Sequence, residues 1–418
     1  MDHQPDVDDK HESDNLREHL ENTQDAESER ASQTSETSQS DEKASYVAEK
    51  EDAIRRACDL RDLDALVSYA TSEGGFLRDD IRQLAWPILL QSDKTPELPE
   101  WTKLSPHADE DQVQLDVNRS FVYYPNCTDA ELLSKKDELS SLLKQVLRHY
   151  PMLCYFQGYH DIVQVLLLVM GGQKAAPAVT RLSLFRIRDY MLPSLSPTVK
   201  HLQLIPAIME RADPALRRHL ADIQPFFALA ATLTLYAHDI QEYSDIARLF
   251  DFILAREPVV AIYLFVAIIL SRKKELLEIP EDEPEMLHFT LSKLPCPLDL
   301  EGLISSAVKL FNDYPPESLP AGTWNKIPQI SVLKSSRDIF DPRPTEEAID
   351  LFERQARQLR YEERKEKAIG FLWQHRRTIG TVAATIFVGA ISIWMRKKGL
   401  DMTLWSYINR VKLAFLSR

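Results

Sequence analysis

Two short stretches bring together side chains suited to chemistry at a phosphate. In Gln112–Phe121, QVQLDVNRSF, the residues Val113, Asp116 and Arg119 recur at intervals of three. On a helix that spacing puts an apolar anchor, a carboxylate and a guanidinium on adjoining positions of one face. In Tyr155–Asp161, YFQGYHD, Gln157 stands before an apolar run, Ile162–Met170. Gly158 beside it has no Cβ, so another group can come close. An arginine held by an acid and a glutamine on a rigid base are two groups that GTP hydrolysis can borrow. The guanidinium neutralises charge developing on the phosphates, and the amide orients the attacking water. By spacing alone, the Asp–Arg pair reads more readily as a surface ion pair worth a few tenths of a kcal/mol, and Gln157 as a helix cap or a core hydrogen bond.

The same residues carry a resemblance. Val113-x-x-Asp116-x-x-Arg119 resembles the IxxDxxR motif of TBC-domain Rab GTPase-activating proteins, and Tyr155-Phe156-Gln157-Gly158 resembles their YxQG motif. Gly74–Leu90, with Ile81, Arg82 and Trp86-Pro87-x-Leu89-Leu90, is similar to the helix that opens that domain. Ala247–Pro258, ARLFDFILAREP, resembles its late R-L-x-D-x-x-L segment. The four motifs stand in the family's order, and the likeness runs from roughly Gly74 to Leu319. It is closest to the membrane-anchored subgroup acting on early-secretory-pathway Rabs.

The elements that must position these groups read as helices throughout. The chain has 418 residues, is 44% hydrophobic and holds only 11 glycines, which argues for long helices over an all-β or Rossmann-type architecture. Amphipathic periodicity predicts a helix pair broken at Asp59–Asp62, then a turn at Glu73-Gly74-Gly75 and a helix ending near Gln91. Thr128, with Asp129 and Glu131 after it, should cap a helix running to about Tyr150. Ile162–Met170 is apolar on nearly every face and should be the central buried helix. Further helices are expected at about 177–191, 197–211, 213–221, 226–239, 243–255, 258–271, 283–293 and 297–313. The run Val259–Leu270 is too short to span a bilayer and reads as a core helix. The expected fold class is all-α, a multi-helix TBC-type domain with a disordered acidic N-terminal tail and a single C-terminal transmembrane helix.

Charge is unevenly placed along this acidic chain of net charge −14. Residues 1–50 carry five basic and fifteen acidic side chains, and residues 364–418 carry eleven basic and two acidic ones. The acidic body does not suit a nucleic acid partner, whereas the basic end suits a membrane surface. Residues 1–45 hold too little apolar surface to offset their ordering entropy and are expected to be disordered. The expected domain occupies 46–320, followed by a helix-poor linker and a charged helix over 321–375. Thr378–Met395 is uncharged over 18 residues and flanked by Arg376-Arg377 and Arg396-Lys397-Lys398. It reads as a membrane span within 376–398 and a tail anchor, with 399–418 a short amphipathic tail. At about 27 Å the span is nearer the thin endoplasmic-reticulum bilayer than the plasma membrane. The polar N-terminus shows no secretory signal. Cys58, Cys127, Cys154 and Cys296 lack metal spacing and read as reduced thiols, with Cys154 expected to be buried.

The resemblance implies a GTPase activator that completes another protein's active site and is not an enzyme in its own right. Arg119 is then the arginine finger and Gln157 stands in for the GTPase's glutamine. Asp116 orients the arginine, Tyr155 braces the second motif and Gly158 gives clearance. No cofactor of its own is implied, since GTP and Mg²⁺ belong to the Rab partner, and no metal site is expected. Two departures from the family pattern stand out: Ser120 replaces the usual Thr, and Tyr159-His160 replaces Met-Asn. The competing reading is a non-catalytic, membrane-anchored Rab-binding adaptor, which loss of Arg119 or Gln157 would favour; both are present.

Overall fold

The computed structural model describes residues 45–94 and 99–374. The expected acidic tail and the span at Thr378–Met395 lie outside the described residues. Among those described, no helix is long and apolar enough to cross a membrane. The chain divides into two units, one reaching Phe352 and one beginning at Glu353. The described part of the second is a charged helix, where Arg357 pairs with Glu353 at 3.4 Å and Gln358 donates to Glu362 at 2.8 Å.

The first unit is helical, with no strand among the described residues. It opens with α1 (residues 45–60) and α2 (Leu63–Thr71), the latter capped by Asp62, whose carboxylate accepts from the Ala65 amide. Next come α3 (Asp79–Leu89), α4 (Glu110–Asn118) and α5 (Asp129–His149). The Thr128 cap holds: its hydroxyl accepts from the Glu131 amide while the Glu131 carboxylate takes the Thr128 amide in return, satisfying two otherwise orphaned donors. Helices α6 (Tyr159–Met170) and α7 (Gly172–Phe185) follow. Within α6 only Asp161 and Leu168 escape burial. The helix packs against α3, α5 and α7 and is the expected central element.

The second half runs through α8 (Ser196–Leu202), α9 (Leu204–Ala212), α10 (Pro214–His219) and α11 (Leu229–Leu233) to α12 (Tyr243–Leu254) and α13 (Val260–Ser271). The apolar run predicted as a core helix forms α13, buried from Val260 to Ile269; α14 (Lys273–Glu278) and α15 (Pro284–Leu291) follow, and α13 packs on α9 and on α16 (Leu300–Asp313).

Two of the four motifs prove to be core wiring. Asp251 of α12 is fully buried and accepts from Arg82 Nε at 3.0 Å, Trp86 Nε1 at 2.8 Å and the Phe76 amide at 3.0 Å. Burial pushes its carboxyl up, and Arg82 acts against that push. A buried carboxylate needs such a full set of donors. Gly75 makes room for it, since a Cβ there would lie 2.5 Å from Asp251 Oδ2. Arg248 meanwhile reaches the carboxylate of Glu301 and the carbonyls of Ala70 and Ser72, closing the N-terminal helices onto α12 and α16.

The expected boundary near Pro320 is corrected. The segment after it is helix-poor as read, but it is part of the packed core. Trp324, Ile327, Val332 and Leu333 are buried. Ser331 Oγ donates to the buried Asp189 at 2.5 Å and the Val332 amide donates to the same carboxylate at 3.0 Å. Arg188 donates to the Ile330 carbonyl and Ser335 Oγ. Burial pushes the Asp189 carboxyl up, but His201, Arg188 and Ser331 outweigh it and hold the group at about 2. A buried acid–base pair completed by this segment makes it integral to the fold.

Candidate functional site

Arg119 ends α4 as its C-cap residue, with its backbone amide bonded to the Asp116 carbonyl at 3.2 Å. Its side chain is 58% exposed, while Asp116 beneath it is fully buried. Arg119 Nη2 donates to Asp116 Oδ1. The same oxygen accepts from Gln112 Nε2 at 3.0 Å, and Oδ2 accepts from the Tyr155 hydroxyl at 2.8 Å. The carboxylate therefore has donors on both oxygens, and the guanidinium is aimed outward from a rigid seat. At the other end of α4, Arg148 of α5 grips Glu110 through two bonds of 2.6 and 2.8 Å.

The two sequence motifs are bonded to each other. Besides the Tyr155 hydroxyl on Asp116, the Tyr155 amide donates to Asp109 Oδ2 at 2.9 Å, one residue before α4 begins. Tyr155 thus ties the second motif to the first, and burial, joined by the neighbouring carboxylate, raises its phenol. Gln157 is exposed, and Gly158 caps α6 with φ 103°. The close approach that the glycine permits is to a side chain of this protein: a Cβ there would lie 2.5 Å from Thr234 Cγ2. Gly158→Ala combines that clash with a backbone conformation costing roughly 1–3 kcal/mol in a residue with a side chain. A loss of that size in the unfolding free energy from denaturant titration, with Gln157 displaced, is the expected outcome.

Arg119 and Gln157 line one groove of about 720 Å³, together with His160, Asp161, Phe226 and His238. The expectation that both groups face a single concave, solvent-accessible surface is met. The helix α6 locates both of them. It carries Gln157 just ahead of its N-cap, and its buried Gln164 accepts from the Phe121 amide at 3.0 Å, fixing the turn after Arg119 where Phe121 has φ 59°.

Several groove residues have no strong signal in the sequence. His238 arrives from beyond α11, and its Nδ1 lies 3.0 Å from Asp161 Oδ2. Phe226, Val122 and Tyr123 are exposed apolar residues on the rim, and only the oddity of such residues beside Arg119 hints at a contact surface. His160 lies 3.1 Å from the Tyr155 hydroxyl through Nδ1 and 3.2 Å from Asp161 Oδ1 through Nε2. Burial lowers the His160 pKa, and Arg119 and His238 add to this against the pull of Asp161 and Asp116. His238 is shifted the other way, chiefly by its bond to Asp161. Among the described residues no cluster of His, Cys, Asp and Glu suits a metal ion. Cys154 is half-buried rather than buried, beside the motif it precedes, and Cys58 is the buried thiol.

Such a groove holds an exposed guanidinium and an exposed amide. The Rab-GTPase-TBC domain model matches residues 79–277. GTPase-activating protein gyp10 of Schizosaccharomyces pombe is 34% identical over 331 residues, covering 77% of this chain and 88% of the relative. The chain belongs to the Rab-GTPase-TBC domain family. TBC1 domain family member 20 of Homo sapiens is 35% identical over 278 residues, covering 65% of this chain and 68% of that protein. The GTPase-activating protein GYP8 of Saccharomyces cerevisiae is 27% identical over 222 residues. The matched TBC region contains every groove residue named above and both halves of the Arg82–Asp251 pair. It ends before the Trp324–Ser335 segment that the packed core of this TBC protein also requires.

Proposed function

We propose that this chain accelerates GTP hydrolysis by a Rab-family GTPase, inserting Arg119 and Gln157 into the GTPase's nucleotide site. The observation that carries the reading is the pairing of an exposed, carboxylate-seated arginine with an exposed glutamine on one groove. The guanidinium bridges phosphate oxygens as charge develops on them, and the Gln157 amide positions the attacking water. GTP and Mg²⁺ come with the GTPase. Asp116 seats the guanidinium through Nη2 until it engages the phosphates, and Gly158 lets α6 begin close under Thr234.

The second part of the proposal is location. Residues Thr378–Met395, uncharged and basic-flanked, act as a membrane anchor, and their short length suits the endoplasmic reticulum and its early-secretory Rabs. The family membership and the names of the relatives, each called a GTPase-activating protein or a TBC1 family member, support the activity. The test is single-turnover phosphate release from a panel of GTP-loaded Rabs with and without residues 45–374. At least one Rab should respond strongly. A panel that binds the chain yet hydrolyses GTP at the intrinsic rate would favour the adaptor reading.

A further inference from the structure

A chain of side-chain hydrogen bonds, with one ion-pair contact between His160 and Asp161, runs from the base of Arg119 across the groove floor to the exposed His238. Its order is Arg119, Asp116, Tyr155, His160, Asp161 and His238. The proton count along it is constrained. The Tyr155 hydroxyl has one proton and two neighbours, Asp116 Oδ2 at 2.8 Å and His160 Nδ1 at 3.1 Å. Asp116 Oδ1 is already an acceptor for Arg119 and Gln112. When Tyr155 donates to Asp116, its oxygen can be satisfied only by a proton on His160 Nδ1. On the other side of the ring Nε2 faces a carboxylate oxygen of Asp161 at 3.2 Å. Nδ1 thus faces the Tyr155 oxygen and Nε2 faces a carboxylate at ion-pair distance, so the carboxylate draws a neutral ring's proton to Nε2, and Nδ1 also carries one only when the ring is charged.

We propose that His160 is a positioning residue for Arg119, acting through the Tyr155 hydroxyl and the Asp116 carboxylate. The ring is buried but lines the groove, so it exchanges protons with solvent there. With the ring neutral, its proton sits on Nε2 toward Asp161, and Nδ1 offers a lone pair to Tyr155. The Tyr155 proton is then contested between His160 and Asp116. Each time it turns to His160, Asp116 loses a donor and holds Arg119 more tightly. When the ring takes a second proton from solvent, the hydroxyl is committed to Asp116 and the new positive charge repels Arg119. Arg119 is then freer to leave Asp116 for a phosphate. The charged and titratable groups facing the ring are Asp116 and Arg119 from α4, Tyr155 before α6, Asp161 on α6, and His238 after α11.

This inference rests on Arg119 being the inserted arginine, and the experiment separates the two. Stimulated hydrolysis by a responsive Rab is divided by intrinsic hydrolysis at each point from about pH 5.5 to about pH 8, which cancels the GTPase's own titration. Stimulation should rise toward acid by a factor on the order of 2–10, the span of one neutral hydrogen bond. His160→Asn, whose amide can donate to Tyr155 without titrating, should be flat and lie at or above the wild-type value at the acid end. His238→Gln should keep the wild-type slope. In parallel, the ¹⁵N resonance of the Arg119 side chain in the full chain should follow the His160 titration in wild type and not in His160→Asn. Identical pH profiles for wild type and His160→Asn, or a slope abolished by His238→Gln alone, would overturn the proposal. If no Rab responds while the Arg119 resonance still tracks His160, the coupling stands and the assigned activity fails. An Arg119 resonance blind to His160 sinks the coupling whatever the activity.

Discussion

Arg119→Lys loses stimulation by on the order of 10³-fold or more, close to the loss from Arg119→Ala. A lysine keeps the charge but replaces a planar fork by a point donor, so it cannot bridge two phosphate oxygens. Neither substitution should disturb folding much. The side chain is 58% exposed, and Asp116 keeps its bonds from Gln112 and Tyr155 when Arg119 is gone. Circular dichroism and the thermal midpoint should match wild type while single-turnover rates collapse. A lysine variant with near-normal stimulation would exclude Arg119 as the group that acts on the phosphates.

Ending the chain after Pro320 abolishes cooperative folding, whereas ending it after Gln374 does not. The shorter form removes Trp324, Ile327, Val332 and Leu333 from the core. Each is worth about 1.5–3 kcal/mol of burial. It also removes Ser331 and the Val332 amide from Asp189, leaving a buried carboxylate short of donors. Breaking such a site costs roughly 3–5 kcal/mol. The sum meets or exceeds the about 5–15 kcal/mol that holds a domain folded. Denaturant unfolding followed by tryptophan fluorescence should show a single transition for the longer form and none for the shorter. A cooperative transition in both would mean that the segment merely rests on the surface.

Local signals in the sequence carried well into three dimensions where their cause is local. The Thr128 cap, the apolar runs of α6 and α13, and the seat of Arg119 on Asp116 depend on spacings of three or four residues. Partnerships across the chain were not legible in that way. Asp251 and Arg82 lie 169 residues apart, and nothing in either neighbourhood reveals that the two family segments exist to satisfy one buried carboxylate. His238 reaches Asp161 over 77 residues, for the same reason.

The misread linker has a different origin. Its buried residues, Trp324, Ile327, Val332 and Leu333, follow neither a helical nor an alternating period, because a 3₁₀ turn, the residue after it and a single turn of α-helix carry them. Without a period, a Pro-bearing stretch resembles a spacer. The helix expected at 197–211 is divided at Gln203 into α8 and α9. The one expected from 177 begins at Gly172, taking Pro177 inside it.

The two-residue mechanism is tested most directly with a responsive Rab whose own water-positioning glutamine is replaced by leucine. If Gln157 supplies that amide, single-turnover hydrolysis by the altered Rab remains strongly stimulated by the wild-type chain and is lost with Gln157→Ala. Stimulation that vanishes when the Rab's glutamine is replaced, and persists with Gln157→Ala on the unaltered Rab, would contradict the account.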